Sequence, residues 1–211
     1  MSDMPQPRLF KVNLSENEIA TCAQFSGHPN LLTLNLSKNK LVNVAGIHKM
    51  ERLIELNLSD NEITSLKHMK ALPSLKKLNL NTNKIEVLDE LPSLPALENL
   101  DLQNNAIENG GEIKKLVAFK RLNTINMAGC PWADEKGDDF KKEVLIACDV
   151  LHIKNVNEDE VTPEDIEEAK NEKAERIQAQ KEAEEEARLE AERLAAEKAE
   201  QEAEGAGEDD E

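Results

Sequence analysis

The side chains best equipped for nucleophilic or metal chemistry are sparse in this sequence. Three cysteines (Cys22, Cys130, Cys148) and four histidines (His28, His48, His68, His152) are spread over 211 residues. Their spacings match no zinc motif, in which ligands arrive in close pairs. No cysteine and histidine stand as a nucleophile with its base. An odd cysteine count argues against a disulfide framework and fits a reducing compartment. Gly110-Gly111 comes nearest to a phosphate-cradling loop, but it falls in an irregular stretch and reads as a turn. Carboxylates abound, and no pattern forces one into a pocket. No catalytic, cofactor-binding or metal-binding residue is expected, and the chain is expected not to be an enzyme.

What recurs is asparagine. Asn17, Asn39, Asn61, Asn83 and Asn105 stand 22 residues apart. Each lies in one phrase, as in Leu14-Ser15-Glu16-Asn17-Glu18-Ile19 and Leu58-Ser59-Asp60-Asn61-Glu62-Ile63. Val12, Leu34, Leu56, Leu78 and Leu100 keep the same register upstream. A sixth, degenerate copy runs through Leu122, Ile125, Met127 and Cys130, arriving 25 residues after the fifth. An asparagine amide both donates and accepts, so stacked copies can satisfy backbone groups of neighbouring turns. The chemistry of the repeat is therefore structural hydrogen bonding.

The elements that must position this asparagine follow from the apolar spacing. A Leu-x-Leu step puts two side chains on one face of a strand and one on the other. Beyond the asparagine, Ile63, Leu66, Met69, Leu72 and Leu75 recur every third residue. That period suits a short helical or 3₁₀ return leg. One such unit cannot bury its own leucines, but a stack shares a core. The pattern is identified as the leucine-rich repeat. The expected fold is α/β: a leucine-rich repeat solenoid of about six repeats, whose parallel sheet forms the concave face, with a C-terminal cap and a long C-terminal α-helix. The expected boundaries are an N-terminal segment 1–8, repeats over 9–132, a cap over 133–157, a charged helix over 163–204 and an acidic disordered end over 205–211.

Open solenoid ends need covers. At the front, Phe10 and the Pro5/Pro7 segment are expected to serve. At the rear, Phe140, Val144 and Cys148 share one face of a helix, and Val150 to Ile153 could add a last strand. Trp132, the sole tryptophan, is expected to seal this end, with a partner-binding anchor as the other reading. Thr162-Pro163-Glu164-Asp165 is a helix start. The following residues are good helix formers, paired at helical spacing as Glu172 with Arg176 and Glu184 with Arg188. Ile166, Ile177, Leu189 and Leu194 are the larger apolar residues of this helix and its candidate partner contacts. They make no seven-residue seam, so a solvated helix or one laid along a partner is favoured over a self-paired coiled coil.

Charge follows the same division. Residues 1–157 hold 20 acids and 19 bases, whereas residues 158–211 hold 23 and 7. A near-neutral body with an acidic tail excludes sequence-independent nucleic-acid binding, which needs a basic stripe. No apolar run is long enough for a membrane span. No secretory signal is read at the start, so a cytoplasmic protein is expected. A homo-oligomer is not required.

The concave face is the default interaction surface. Its first outward column reads Lys11, Thr33, Glu55, Lys77, Asn99, Thr124, and its second Asn13, Asn35, Asn57, Asn79, Asp101, Asn126. A third is expected to be Ser15, Ser37, Ser59, Asn81, Gln103 and Ala128. The candidate partner-binding residues are Lys11, Asn13, Asn35, Glu55, Asn57, Lys77, Asn79, Asn99, Asp101 and Asn126. The face lacks aromatics and arginine, the usual anchors of an interface. It reads either as a wet groove for a partner strand or loop, or as an amide ladder that merely solvates the sheet.

The short repeat resembles the type shared by phosphatase-regulating and axonemal dynein light-chain proteins, over residues 9–132. The stretch from Asn109-Gly110-Gly111-Glu112-Ile113 to Cys130-Pro131 resembles the last repeat in the family of leucine-rich repeat-containing protein 23, a ciliary radial-spoke component. A capping helix and an acidic helix, here from Glu164-Asp165-Ile166 onward, follow it there too. This resemblance implies a non-enzymatic structural or adaptor subunit of an axonemal complex, most specifically a radial spoke, in the cilium or flagellum. It also implies that the partners are other axonemal proteins, held through the solenoid surface and the acidic helix. The alternative is a regulatory subunit of an enzyme such as a protein phosphatase, or an axonemal dynein light chain.

Overall fold

The computed structural model describes residues 9–205 apart from Gln24, Ser26 and Glu90. The expected segment 1–8 and most of the expected acidic end 205–211 lie outside the described residues. The chain divides into two units, one ending at Glu167 and one starting at Glu168.

In the first unit each repeat contributes a strand of three residues: β1 (Lys11–Asn13), β2 (Thr33–Asn35), β3 (Glu55–Asn57), β4 (Lys77–Asn79), β5 (Asn99–Asp101) and β6 (Thr124–Asn126). They lie in sequence order, parallel and unshifted, so Val12, Leu34, Leu56, Leu78, Leu100 and Ile125 form one row. From Leu34 onward that row is buried. The return legs close the core behind it, with Ile63, Leu66, Met69, Leu72 and Leu75 all buried.

The strands stop after three residues for a reason visible in every turn. Glu16, Lys38, Asp60, Thr82 and Asn104 sit in the left-handed region with φ between 50 and 59°, and Gly129 takes that position in the sixth repeat. The chain thereby rolls inward and delivers the next residue, the recurrent asparagine, to the interior. Asn61 Nδ2 donates to the carbonyls of Leu36, Leu58 and Ser59 at 2.9 to 3.0 Å, and its Oδ1 accepts the Leu41 N–H at 3.0 Å. Asn39, Asn83 and Asn105 repeat the arrangement one turn apart. Each therefore ties its own turn to the previous one. In the sixth repeat Cys130 occupies the position and its Sγ donates to Leu102 O at 3.2 Å.

The rear cap is richer than its sequence suggests. Gly110-Gly111 is no simple turn: it opens a 3₁₀ helix (Gly110–Ala118) capped by Asn109, whose Oδ1 accepts the Gly111 N–H at 2.8 Å. Two short helices follow, α1 (Pro131–Lys136) and α2 (Phe140–Ala147). Phe140, Val144 and Cys148 are buried as the spacing requires. Trp132 is 7% exposed, and its ring meets Phe140 edge-on with centroids 5.2 Å apart. Residues 150–153 do not form the last strand. Leu151 and Ile153 fill the cap instead, and the sheet continues with β7 (Asn155–Val156), parallel to β6, then β8 (Asp159–Glu160), antiparallel to β7. Leucine-rich periodicity could not announce so short a rung.

The last helix, α3 (Pro163–Gly205), starts with the expected reciprocal cap. Thr162 N–H donates to Asp165 Oδ2 at 2.8 Å, and Asp165 N–H to Thr162 Oγ1 at 3.2 Å. The Thr162 N–H holds the Asp165 carboxyl below its ordinary range, helped by Lys141 at 3.1 Å. Within the second unit the helix is secured by exposed pairs one turn apart. Arg176 pairs with Glu172 as expected, while Glu184 takes Gln180 and Arg188 turns to Glu192.

Two outcomes follow. Asn61→Ala leaves the buried Leu41 N–H without its acceptor and takes one of two donors from each of the Leu36, Leu58 and Ser59 carbonyls, so it should cost about 1–3 kcal/mol in urea unfolding. Asn17→Ala, exposed and bonded among the described residues only within its own turn, should cost less than about 1 kcal/mol. At the cap, a Cβ on Gly110 would come within 2.5 Å of the Trp132 indole. Gly110→Ala should shift the emission of the sole tryptophan and lower stability by about 1–3 kcal/mol.

Candidate functional site

Six short strands leave a face built from the residues that flank the buried row. This face is hollowed into a groove of about 470 Å³ along β2 to β6, lined by Thr33, Asn35, Glu55, Asn57, Lys77, Asn79, Asn99, Asp101, Thr124 and Asn126. The structure thus brings most of the candidate residues together. Lys11 and Asn13 are the exceptions: they lie on β1, outside the lining.

The second column does two jobs. Asn35, Asn57 and Asn79 each turn Oδ1 onto the N–H two residues ahead, that of Ser37, Ser59 and Asn81, at 2.9 to 3.0 Å. Asn13 does the same for Ser15 at 3.0 Å. These side chains end the strands, as asparagine commonly does in turns. The amide nitrogens remain as the donors that a visitor in the groove would meet. The third column is corrected at two places: Ser37 and Ser59 are buried, as the chain rolls inward through the left-handed residue that follows each. Ser15, Asn81 and Gln103 remain partly exposed and Ala128 exposed, as expected of an outward column.

In the first column Lys77 pairs with Glu55 at 3.0 Å across neighbouring strands. Along the rim, Glu16–Lys38, Glu18–Lys40, Glu62–Lys84 and Lys76–Glu98 pair at 2.8 to 2.9 Å, each one repeat apart. The lysine hydrogen bonds hold Glu16, Glu62 and Glu98 below the ordinary glutamate range. Such exposed pairs fix register more than they stabilise.

Asp101 departs from its column. Its Oδ1 accepts the Gln103 N–H at 3.1 Å. Burial nevertheless pushes its carboxyl above the ordinary aspartate value, and the negative charge of Glu158 pushes the same way. Glu158 belongs to the two-residue connection of β7 and β8, where Asn157 and Glu158 both have positive φ, at 49 and 72°. Neither was nominated from the sequence. A two-residue connection of this kind usually announces itself with Asn-Gly, and glutamate in the second place hides it. Asn157 also closes the sixth turn, accepting the Met127 N–H at 2.7 Å.

A further carboxylate escaped the sequence reading. Glu112 is buried, accepts the Leu88 N–H and pairs with Lys115 at 2.8 Å, while Lys115 also reaches Asp89. This cluster joins the enlarged fifth return leg to the fourth. The cysteines are inert by burial, which raises the thiol of Cys22 to about 11, that of Cys148 to about 12, and that of Cys130 in the same direction. His28 is half-buried with Nδ1 unpartnered, and His48 is half-buried with its Nδ1 2.9 Å from Gly46 O. Among the described residues no group of acids, histidines and cysteines could hold a metal ion, and no helix is long and apolar enough to cross a membrane. On α3, Ile166, Ile177, Leu189 and Leu194 are all exposed, between 38 and 54%.

The Asp101 environment has a consequence for stability. A carboxyl raised above its unfolded value binds its proton more tightly in the folded state, so stability falls as pH rises through the shifted range. Asp101→Asn should therefore be more stable than the parent at pH 7. The advantage should vanish below the ordinary value of 3.8, where both states are protonated. Thermal melts of the two proteins at pH 3 and pH 7 test this.

Comparison with known proteins gives the fold a wider frame. The crystal structure of an internalin (InlF) from Listeria monocytogenes superposes on 68% of this chain with a TM-score of 0.51 at 20% identity. The match takes in 39% of that chain, so this protein spans less than half the length of the internalin. At that identity the likeness shows the fold alone. No curated protein matches. A leucine-rich repeat family profile matches residues 11–188, from β1 well into α3. Repeat number, register, asparagine ladder and polar groove all suit protein–protein interaction. The chain belongs to the leucine-rich repeat family.

Proposed function

We propose that this protein is a non-enzymatic structural or adaptor subunit of a ciliary axonemal complex, most specifically a radial spoke. It binds other axonemal proteins in the cytoplasm of the cilium or flagellum. The observation that carries this reading is the union, in one chain, of two different docking elements. One is a repeat body with an open, polar groove. The other is a charged helix of 43 residues, about 65 Å long at 1.5 Å per residue. The helix has mostly exposed apolar residues spaced too irregularly for a self-paired coiled coil. A body that grips one neighbour and a rod that reaches another is what a scaffold subunit needs.

The resemblance of the final repeat, cap and acidic helix to the radial-spoke family supports the same reading. Regulation of a phosphatase draws less support, because the groove lacks the aromatic and arginine anchors of a tight inhibitor.

The test is expression of tagged full-length protein and of residues 1–167 in flagellated cells from which the native copy has been removed. Full-length protein should remain with the detergent-extracted axoneme. The truncated body, which keeps the Thr162–Asp165 cap, should fold yet wash out. Retention of the truncated body would remove the helix from the mechanism, and solubility of both would remove the axonemal assignment.

A further inference from the structure

We infer that the β5–β6 end of the groove receives a lysine or arginine side chain from an extended segment of the partner protein. This deepens the docking reading above and rests on it: it names the chemistry of the residue that docks.

Two neighbouring rungs there carry acceptors for which the chain supplies no donor. Asp101 is the only charged member of a column that is otherwise asparagine at positions 13, 35, 57, 79 and 126. One of its oxygens serves the Gln103 N–H. The other has no hydrogen bond among the described residues, and no lysine or arginine is paired with it. Lys77, the cation of the adjacent column, is held by Glu55 at 3.0 Å. The charge that Asp101 does feel is that of Glu158, of like sign. The next rung breaks the asparagine rule in its own way. Asn126 stands directly beside Asp101 in the register, yet its Oδ1 is buried and accepts nothing.

A carboxylate in a hollow with a second carboxylate behind it is unfavourable unless a cation joins them. An adjacent buried carbonyl oxygen is costly for the same want of a donor. Strands lie about 4.8 Å apart, so a guanidinium or ammonium held by Asp101 lies one rung from Asn126, whose Oδ1 joins it once the side chain turns out of the interior. Upstream, the amide nitrogens of Asn35, Asn57 and Asn79 can donate to the carbonyls of an extended backbone. An anionic segment, or a nucleic-acid phosphate, meets the wrong sign at this end.

The experiment uses the full chain, ¹⁵N-labelled, titrated with acetyl-Thr-Arg-Thr amide and with the citrulline counterpart, which keeps the shape and removes the charge. The arginine peptide should move the amides of residues 99–103 and 124–128. Citrulline should weaken binding about tenfold, the loss of one charge-assisted hydrogen bond. Asp101→Asn, which should fold at least as well as the parent, should make the two peptides equal. If both peptides move groove amides equally in the parent, the groove docks peptides but reads no cation, and this inference alone fails. If the arginine peptide moves only residues 168–205, the cation belongs to the acidic helix and the inference fails again. If neither peptide moves any groove amide, the inference and the docking role of the groove fall together.

Discussion

The fold rests on a single amide used four times over. Asn39, Asn61, Asn83 and Asn105 each plug the interior of one turn and bond to the backbone of the turn before. Apolar burial supplies the drive to stack, because no single repeat can hide its leucines. Burial alone, however, does not choose a register. A leucine slides past a leucine at little cost, whereas an asparagine displaced by one residue leaves several buried polar groups unpaired. The ladder converts a greasy stack into a numbered one. The strict row from Val12 to Ile125 is its visible result.

That requirement shapes the outer face as well. To bring the ladder asparagine inside, each turn must pass through a left-handed residue, and the strand must end just before it. The asparagines of the second column end the strand by capping the N–H two residues ahead. Three-residue strands, small polar side chains and a narrow face are thus one consequence of one constraint. The groove is polar because the polypeptide needs polar side chains there to turn. It follows that its asparagines carry little information about a partner, and that the informative positions are those that depart from the rule.

Much of this was legible in the sequence. The 22-residue spacing of the asparagines gave the repeat, the three-residue apolar spacing gave the return legs, and Thr162 with Asp165 gave the start of the last helix. Each signal is periodic or local, and so survives without knowledge of the fold. What escaped is neither. The 3₁₀ helix at Gly110 needs a glycine at its start because the indole of Trp132, in the following helix, leaves no room for a Cβ there, a contact between distant residues. The rung at Asn155-Val156 is two residues long, and its turn puts Glu158, a residue that sequence preferences do not favour there, at positive φ. Ser37 and Ser59 read as outward by strand alternation, but the strands end two residues earlier, at Asn35 and Asn57.

The two unusual carboxylates separate structure from function by the same electrostatic rule. Glu112 is the more buried, and a sequence reading had no reason to notice it. Yet the chain answers it fully, with the Leu88 N–H on one oxygen and the Lys115 ammonium on both. Its charge is spent inside the molecule, locking the enlarged fifth leg in place. Asp101 is less buried but unanswered: its second oxygen has no hydrogen bond among the described residues, and the charge it feels, that of Glu158, has the wrong sign. Asparagine would serve the strand end equally well, as it does at Asn35, Asn57 and Asn79. A carboxylate kept where the fold has no use for its charge points outward for its counter-ion. On this physical ground the proposed cation site lies at the β5–β6 end of the groove rather than in its asparagine-lined middle.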